Sequence, residues 1–434
     1  MKRISLLGLC LLLAVAASAW NPYPATRHFF QRVLSHKNPS SSQIPQFILD
    51  TNHPWLRANE AWLSRYPNIS QELCSPDSIL WTTPLSTHAP PADLFTNLSI
   101  KRNVIGGIYR PSLYVGWSHA YHRLQEMAAC KVALMSVRNL HVDLYVDDDK
   151  YTIPSPALTE LFADDLAQMT NLETLDWGIS SEATREFEPA FVAKGLMLPS
   201  VKHLLPGAGS DYLVSRCPNL EVIEAGGYYR HRSWHYPSPS RKVHLVALIT
   251  ASTGLEHLKQ WHLSMLWDDW TTDMVMAILD ATPNITGLHM EGRLKRVASD
   301  YDYVSGGTHG IDPYFANANA QTQTLKRYVQ LISQFPNLER LSLPASHELD
   351  LGFDGGPWCG NAYDGPDGRE VDRWVRQDGA ETAELAANIT LAALPYLKSL
   401  TVGIDHGNVT VNDRGQPEVA WPWTGRMEQW AYGD

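Results

Sequence analysis

Gln334–Leu343 reads QFPNLERLSL. After a Pro-Asn pair its apolar residues Leu338, Leu341 and Leu343 step by three and then by two. A helix buries residues at steps of three and four, a half-buried strand at steps of two. Three-then-two marks the place where a turn hands over to a strand. Leu338 packs beneath the turn, while Leu341 and Leu343 point inward with Ser342 pointing out between them. The preceding TLKRYVQLIS puts Leu325, Val329, Ile332 and Phe335 on one helical face. Pro336 then stops the helix and fixes the turn. The unit is helix, turn, short strand.

The unit recurs. MTNLETLDW carries Leu172, Leu175 and Trp177, and CPNLEVIEA carries Leu220, Ile223 and Ala225. TPNITGLHM carries Ile285, Leu288 and Met290, and LPYLKSLTV carries Leu397, Leu400 and Val402. LPSVKHLLP, HLKQWHL and VRNLHVDL are weaker copies. ALTELFADDLAQ and MVMAILDA, each with helical apolar spacing, precede two of them. An ordinary α/β domain with buried parallel strands accounts for this alternation but not for the repeated turn-plus-leucine signature. One such unit cannot bury its apolar face, whereas stacked units share a continuous core.

L-x-x-L-x-L resembles the leucine-rich-repeat superfamily. The spacing between copies is uneven, from 19 residues (Val201 to Leu220) to 59 (Leu338 to Leu397). In this the chain is similar to the irregular arrays of fungal F-box-type proteins, over roughly residues 130–405. Three residues past the last apolar position, where the family usually carries Asn or Cys, stand Ser180, Tyr228, Arg293, Ser346 and Asp405. The resemblance implies an α/β fold of the irregular leucine-rich-repeat solenoid type, with parallel strands each backed by a helix and an N-terminal cap region. No F-box is evident, so the resemblance is carried for architecture and not for role.

In such a stack the residue between the last two apolar positions faces one shared sheet surface. In order these are His141, Asp176, Glu224, His262, His289, Ser342 and Thr401. The next outward positions hold Asp143, Gly178, Gly226, Ser264, Glu291, Pro344 and Gly403. The column is partly acidic and partly histidine, flanked by glycines that leave room. Concave solenoid faces are common binding surfaces. His141, Asp143, Asp176, Glu224, His262, His289 and Glu291 are therefore the candidate binding residues, for a protein or glycan partner.

Residues 1–19 read as a secretory signal peptide. Lys2 and Arg3 form a basic start, an apolar run follows, and Ala17-Ser18-Ala19 is an A-x-A cleavage site. The run is too short to span a bilayer, and no later segment resembles a membrane span. The expected location is extracellular. Residues 20–128 lack the repeat signature and are expected to cap the array. Residues 129–434 form the repeat domain, with insertions at 298–322 and 346–379. Asn68, Asn97, Asn284, Asn388 and Asn408 sit in Asn-x-Ser/Thr sequons and are candidate N-glycosylation sites. Cys74, Cys130, Cys217 and Cys359 remain once the signal is removed. They can form two disulfides in any of three connectivities, or stay as buried free thiols. Loss of Lys2 and Arg3 leaves 33 basic against 46 acidic residues, a formal charge of −13. That excludes the basic footprint needed for nucleic acid or anionic membranes.

Candidates for chemistry are sparse. In LYVGWSHA, a strand, a sharp turn around Ser118 and a helix resemble a nucleophile elbow, but Ala120 replaces the final glycine of G-x-S-x-G. His119 and His122 share a helical face with no third ligand at a recognised spacing. Trp267-Asp268-Asp269-Trp270 pairs carboxylates with sugar-stacking aromatics, as a glycosidase requires, yet adjacent carboxylates point apart and more naturally cap the following helix. Asp147–Asp149 and Asp354 lack calcium-loop spacing. No catalytic, metal or cofactor residue is assigned. Binding is the favoured reading; the alternative is a secreted hydrolase, serine esterase-like around Ser118 or glycoside-acting.

Overall fold

Leu338, Leu341 and Leu343 are buried as a turn-to-strand step requires, and so is every other triad from Leu172 to Val402. Leu172, Leu175 and Trp177, Leu258, Trp261 and Leu263, and Ile285, Leu288 and Met290 are all at most 4% exposed. Removing one such side chain from water stabilises by roughly 1.5–3 kcal/mol, and the triads together make the core. The computed structural model that shows this describes residues 96–101, 103–105, 113–115, 117, 120, 121, 124, 128, 131–144, 153–226, 240–265, 269–295, 318–346, 348, 349, 351 and 365–427. The expected signal peptide and most of the expected cap region lie outside these residues.

The eight sequence copies are eight strands that follow one another in the sheet. After β1 (Asn97–Lys101), β2 (Asn103–Ile105) and β3 (Leu113–Val115) come β4 (Asn139–Asp143), β5 (Thr174–Gly178), β6 (His203–Pro206) and β7 (Val222–Ala225). Then follow β8 (Gln260–Ser264), β9 (Gly287–Glu291), β10 (Arg340–Leu343), β11 (Ser399–Val402), β12 (Asp405–Val411) and β13 (Pro417–Ala420). The eleven-stranded sheet has the order β1-β4-β5-β6-β7-β8-β9-β10-β11-β12-β13, while β2 and β3 form a separate antiparallel pair. From β5 to β11 every pairing is parallel. β12 and β13 are antiparallel additions at one end.

Helices fill the connections, as parallel pairing demands. Among the described residues they are α1 (Lys131–Ser136), α2 (Pro156–Gln168), α3 (Ser181–Thr184), α4 (Glu188–Ala193), α5 (Ser240–Ala251), α6 (Thr272–Ala281), α7 (Ala318–Ile332) and α8 (Gly365–Ala393). A 3-10 turn at Asp211–Arg216 takes the place of a helix before β7. This turn, α5, α6, α7 and α8 pack neighbour on neighbour in chain order, forming a second layer. α7 and α8 both begin inside segments expected to be insertions, at Ala318 and Gly365. The Gly/Asp-rich start of α8 hides its helical signal, whereas its later half buries Ala380, Ala383, Ala387 and Leu391 at steps of three and four.

The chain falls into two compact units. The first, Met1–Leu140 with Ser155–Asn171, holds β1, β2, β3, α1 and α2. In it β1 places a strand inside the region expected to be a cap, with Leu98 and Ile100 buried on one side. The second, His141–Pro154 with Leu172–Asp434, holds the strands from β5 onward.

Two devices in the second unit fix the register of the strands. Asn219, in the turn before β7, donates its side-chain N–H to the Pro199 carbonyl in the preceding turn (2.8 Å). Asn337 similarly reaches the Asn284 side chain (3.4 Å). A charge ladder also crosses the turns. Glu221 takes Lys259 at 2.6 Å and Lys202 at 3.5 Å, and Lys398 meets Glu339 at 2.6 Å. The hydrogen bond from the Lys259 ammonium, aided by the charge of Lys202, holds the Glu221 carboxyl below its usual range. At the β13 end Trp421 and Trp423 stack at 5.1 Å, and the Trp423 indole N–H donates to Glu384 of α8 (2.9 Å). Pro417 opens β13, which blunts an exposed sheet edge.

Candidate binding face

Parallel in-register pairing turns alternate residues into rows. Asp176 lies opposite Leu205, Glu224 opposite His262, His262 opposite His289, and Ser342 opposite both His289 and Thr401. Five of the seven outward residues expected from the sequence, Glu224 to Thr401, thus form one continuous row in the second unit. His141 joins Asp176 through a 2.6 Å contact between Nδ1 and Oδ2.

The row is a chain of imidazole–carboxylate neighbours. Glu224 Oε2 lies 3.7 Å from His203 Nε2 and 4.0 Å from His262 Nδ1. The His262 and His289 rings are tilted against each other with centroids 5.4 Å apart. The side chains of His141, Asp176, His203, Glu224 and His262 are 20–38% exposed, so each presents an edge to solvent while its stem is packed. Asp143 and Glu291, one outward step further on, are half-buried. Two hydroxyls complete the surface. Ser264 faces Glu291 across β8 and β9, and Ser342 faces His289 across β9 and β10. Both are buried, and neither Oγ has a hydrogen-bond partner.

Three members went unread in the sequence. His203 and Leu205 belong to β6, whose motif LPSVKHLLP contributes no residue to the expected outward column and fills its outward position with apolar Leu205. Its Val201-x-x-Leu204 spacing carries the signal. His406 comes from antiparallel β12, beyond the repeats, and its Nδ1 meets the Thr401 hydroxyl at 2.9 Å. A Val-Gly turn after β11 is the only cue.

Of the flanking-row glycines, Gly226 and Gly403 have φ of 87° and 61° at the exits of β7 and β11, and Gly292, which follows Glu291, has 103°. A Cβ on Gly226 would lie 2.0 Å from the Ser264 carbonyl oxygen, and one on Gly292 2.7 Å from the Met265 backbone. These glycines permit left-handed exits and close strand approach.

Other sequence candidates fare variously. Ser118, His119, His122, Asp147–Asp149, Trp267, Asp268 and Asp354 lie outside the described residues, as do Asn68, Cys74, Cys130 and Cys359. Trp270 is fully buried and donates its indole N–H to the Glu291 carbonyl (3.0 Å), so it is core and not a sugar platform. Thr271, not an aspartate, is the N-cap of α6, and Asp273 supplies the acidic residue of its first turn. Asn97, Asn284, Asn388 and Asn408 are all exposed. Cys217 is a buried free thiol, pushed up to about 12 by burial. Among the described residues no group of three His, Cys, Asp or Glu is arranged to hold a metal ion, and no helix is long and apolar enough to cross a membrane. No protein-family model, no curated protein and no solved structure matches this chain.

Proposed function

We propose that this protein acts by binding, and that the face of β5–β11 that carries Asp176, Glu224, His262 and His289 recognises a protein or glycan partner. In this reading the sequential parallel strands and their helices are an irregular leucine-rich-repeat solenoid, exported through the signal at residues 1–19, extracellular, and glycosylated at the sequons. The observation that carries it is the row itself. Side chains up to 177 residues apart, from Glu224 to Thr401, are brought by register into one polar row. Parallel strands need no such row for their own stability, because their buried partners lie on the opposite side.

Photo-crosslinking tests it. A photoreactive residue at His289 or Thr401 is compared with one at Met276 on the helical side, each exposed to a glycan array and to a panel of purified secreted proteins. Saturable capture at the face, displaced by unlabelled chain and absent at Met276, is expected. Equal capture at both positions removes the face from the argument. Turnover of esters or polysaccharides that is abolished by Ser118→Ala replaces binding with hydrolysis.

A further inference from the structure

We infer that the binding face takes a lysine-bearing segment of a protein partner, which it holds at neutral pH and releases on mild acidification. This rests on the proposed binding role and names the partner's chemistry. The centre of the site is on β7–β10: Glu224, His262, Ser264, His289, Glu291 and Ser342.

Two independent observations converge there. The first is charge. Among the described strand residues the outward rows carry Asp143, Asp176, Glu224 and Glu291 against one guanidinium, Arg340 on β10. A protein partner with complementary charge is cationic. The second is a pair of hydroxyls. Ser264 and Ser342 are more than nine-tenths buried, lie on outward positions beside Glu291 and His289, and have no hydrogen-bond partner for Oγ. A buried hydroxyl left unpaired is destabilising unless a bound group completes it. An ammonium carries three donors and no acceptor. Ser264 sets one such hydroxyl beside the Glu291 carboxylate, and Ser342 sets a second beside His289 on the neighbouring row, so lysines of an extended segment find acceptors at both places. An anionic glycan would meet carboxylates where it needs donors.

Release follows from what lies between the carboxylates. His262 faces Glu224 and Gln260 on one side and His289 on the other. His289 lies between His262 on β8 and Ser342 on β10, with Arg340 two residues from Ser342. His203 faces Glu224, His141 faces Asp176, and His406 faces Thr401. Imidazole is the side chain that ordinarily gains charge between about pH 8 and 5, and lysine keeps its charge throughout. Positive charge at His262 and His289 would stand beside Glu224 and on the same strand face as Glu291, where the lysine ammonium is held.

The test uses the full chain and a fluorescent octalysine peptide, read by anisotropy at pH 7.5 and 5.5, with circular dichroism confirming the fold at both. Binding at pH 7.5, weakened at least about tenfold at pH 5.5, is expected; tenfold is about 1.4 kcal/mol. His262→Gln with His289→Gln brings the ratio of the affinities at the two pH values toward one, whatever the affinity at pH 7.5. Ser264→Ala with Ser342→Ala weakens binding while leaving Tm unchanged or higher, which a structural role for the hydroxyls would not do. Equal affinity at the two pH values overturns the proposal, as does equal weakening by Glu256→Gln, in the turn after α5, with Asp280→Asn on α6. If the face captures a partner that octalysine does not displace, the binding role stands and the lysine-bearing partner is wrong. If the face captures nothing beyond the Met276 control, both are wrong.

Discussion

At the scale of single residues, the least expected group is Asp165. It stands on α2 in the stripe that buries Leu158, Phe162 and Leu166, is fully buried, and neither carboxyl oxygen has a hydrogen-bond partner. Burial, with the neighbouring Asp164 charge second, pushes its carboxyl from 3.8 up to about 8. The native state therefore holds a proton that the unfolded chain releases near pH 4. Stability from this group is fully present below its unfolded value and is lost as pH rises through the folded one, across roughly pH 4 to 8. At about 1.4 kcal/mol per pH unit the effect is bounded at about 6 kcal/mol. Asp165→Asn keeps the shape and removes the titration. In urea unfolding at pH 4, 6 and 8, the variant is expected to gain on the native protein progressively toward pH 8. Parallel stability curves for the two chains would show that Asp165 is solvated or paired.

At the scale of elements, two kinds of contact compete to explain why the strands stack in register. Leu258 sits beneath the turn before β8 at 4% exposure, and the next residue, Lys259, joins the charge ladder at 2.6 Å from Glu221. Lys259 and Glu221 are largely in solvent, where such a pair contributes roughly 0.2–1 kcal/mol and is screened by salt. Truncating a buried leucine costs about 2–5 kcal/mol. Leu258→Ala should therefore lower the unfolding midpoint strongly at any ionic strength. Lys259→Ala should lower it slightly at low salt and not at all near 1 M. A salt-sensitive loss in the leucine variant would reverse the ranking. The same contrast explains what the sequence made legible. Each triad carries its burial in a three-then-two spacing that no neighbour alters, so eight strands and their order could be read one copy at a time. β6 was under-read because Leu205 occupies an outward position, and α8 because its first turns are rich in glycine and aspartate while its buried residues are alanines. The ladder Glu173, Lys202, Glu221, Lys259, Thr286, Glu339, Lys398 stands at one fixed place in seven of the eight copies, and its alternation emerges only when the copies are aligned. The outward row was legible for the same reason as the triads. What its members touch was not, since the contacts of Glu224 with His203 and His262 depend on which strands are neighbours.

At the scale of the whole second unit, order along the chain is also order in the sheet, so each strand is supported chiefly by the two beside it. Stability should then pass from neighbour to neighbour and fall off with distance from any damage. The β12–β13 end offers a clean place to cut that support. Trp423 is 1% exposed, stacks on Trp421 and donates to Glu384, linking the antiparallel strands to α8. Trp423→Ala should cost about 3–5 kcal/mol where it acts, by leaving a cavity. Native-state hydrogen exchange reads the reach of that loss. Amides of β11 and β12 are expected to lose protection first, β9 and β10 less, and β5 to β7 least. Near-uniform loss across all the strands would mean that the unit folds as one cooperative body, with the core between sheet and helices, not strand-to-strand support, setting its stability. It would also weaken the case for the solenoid reading, because a stack of semi-independent units is what that architecture requires.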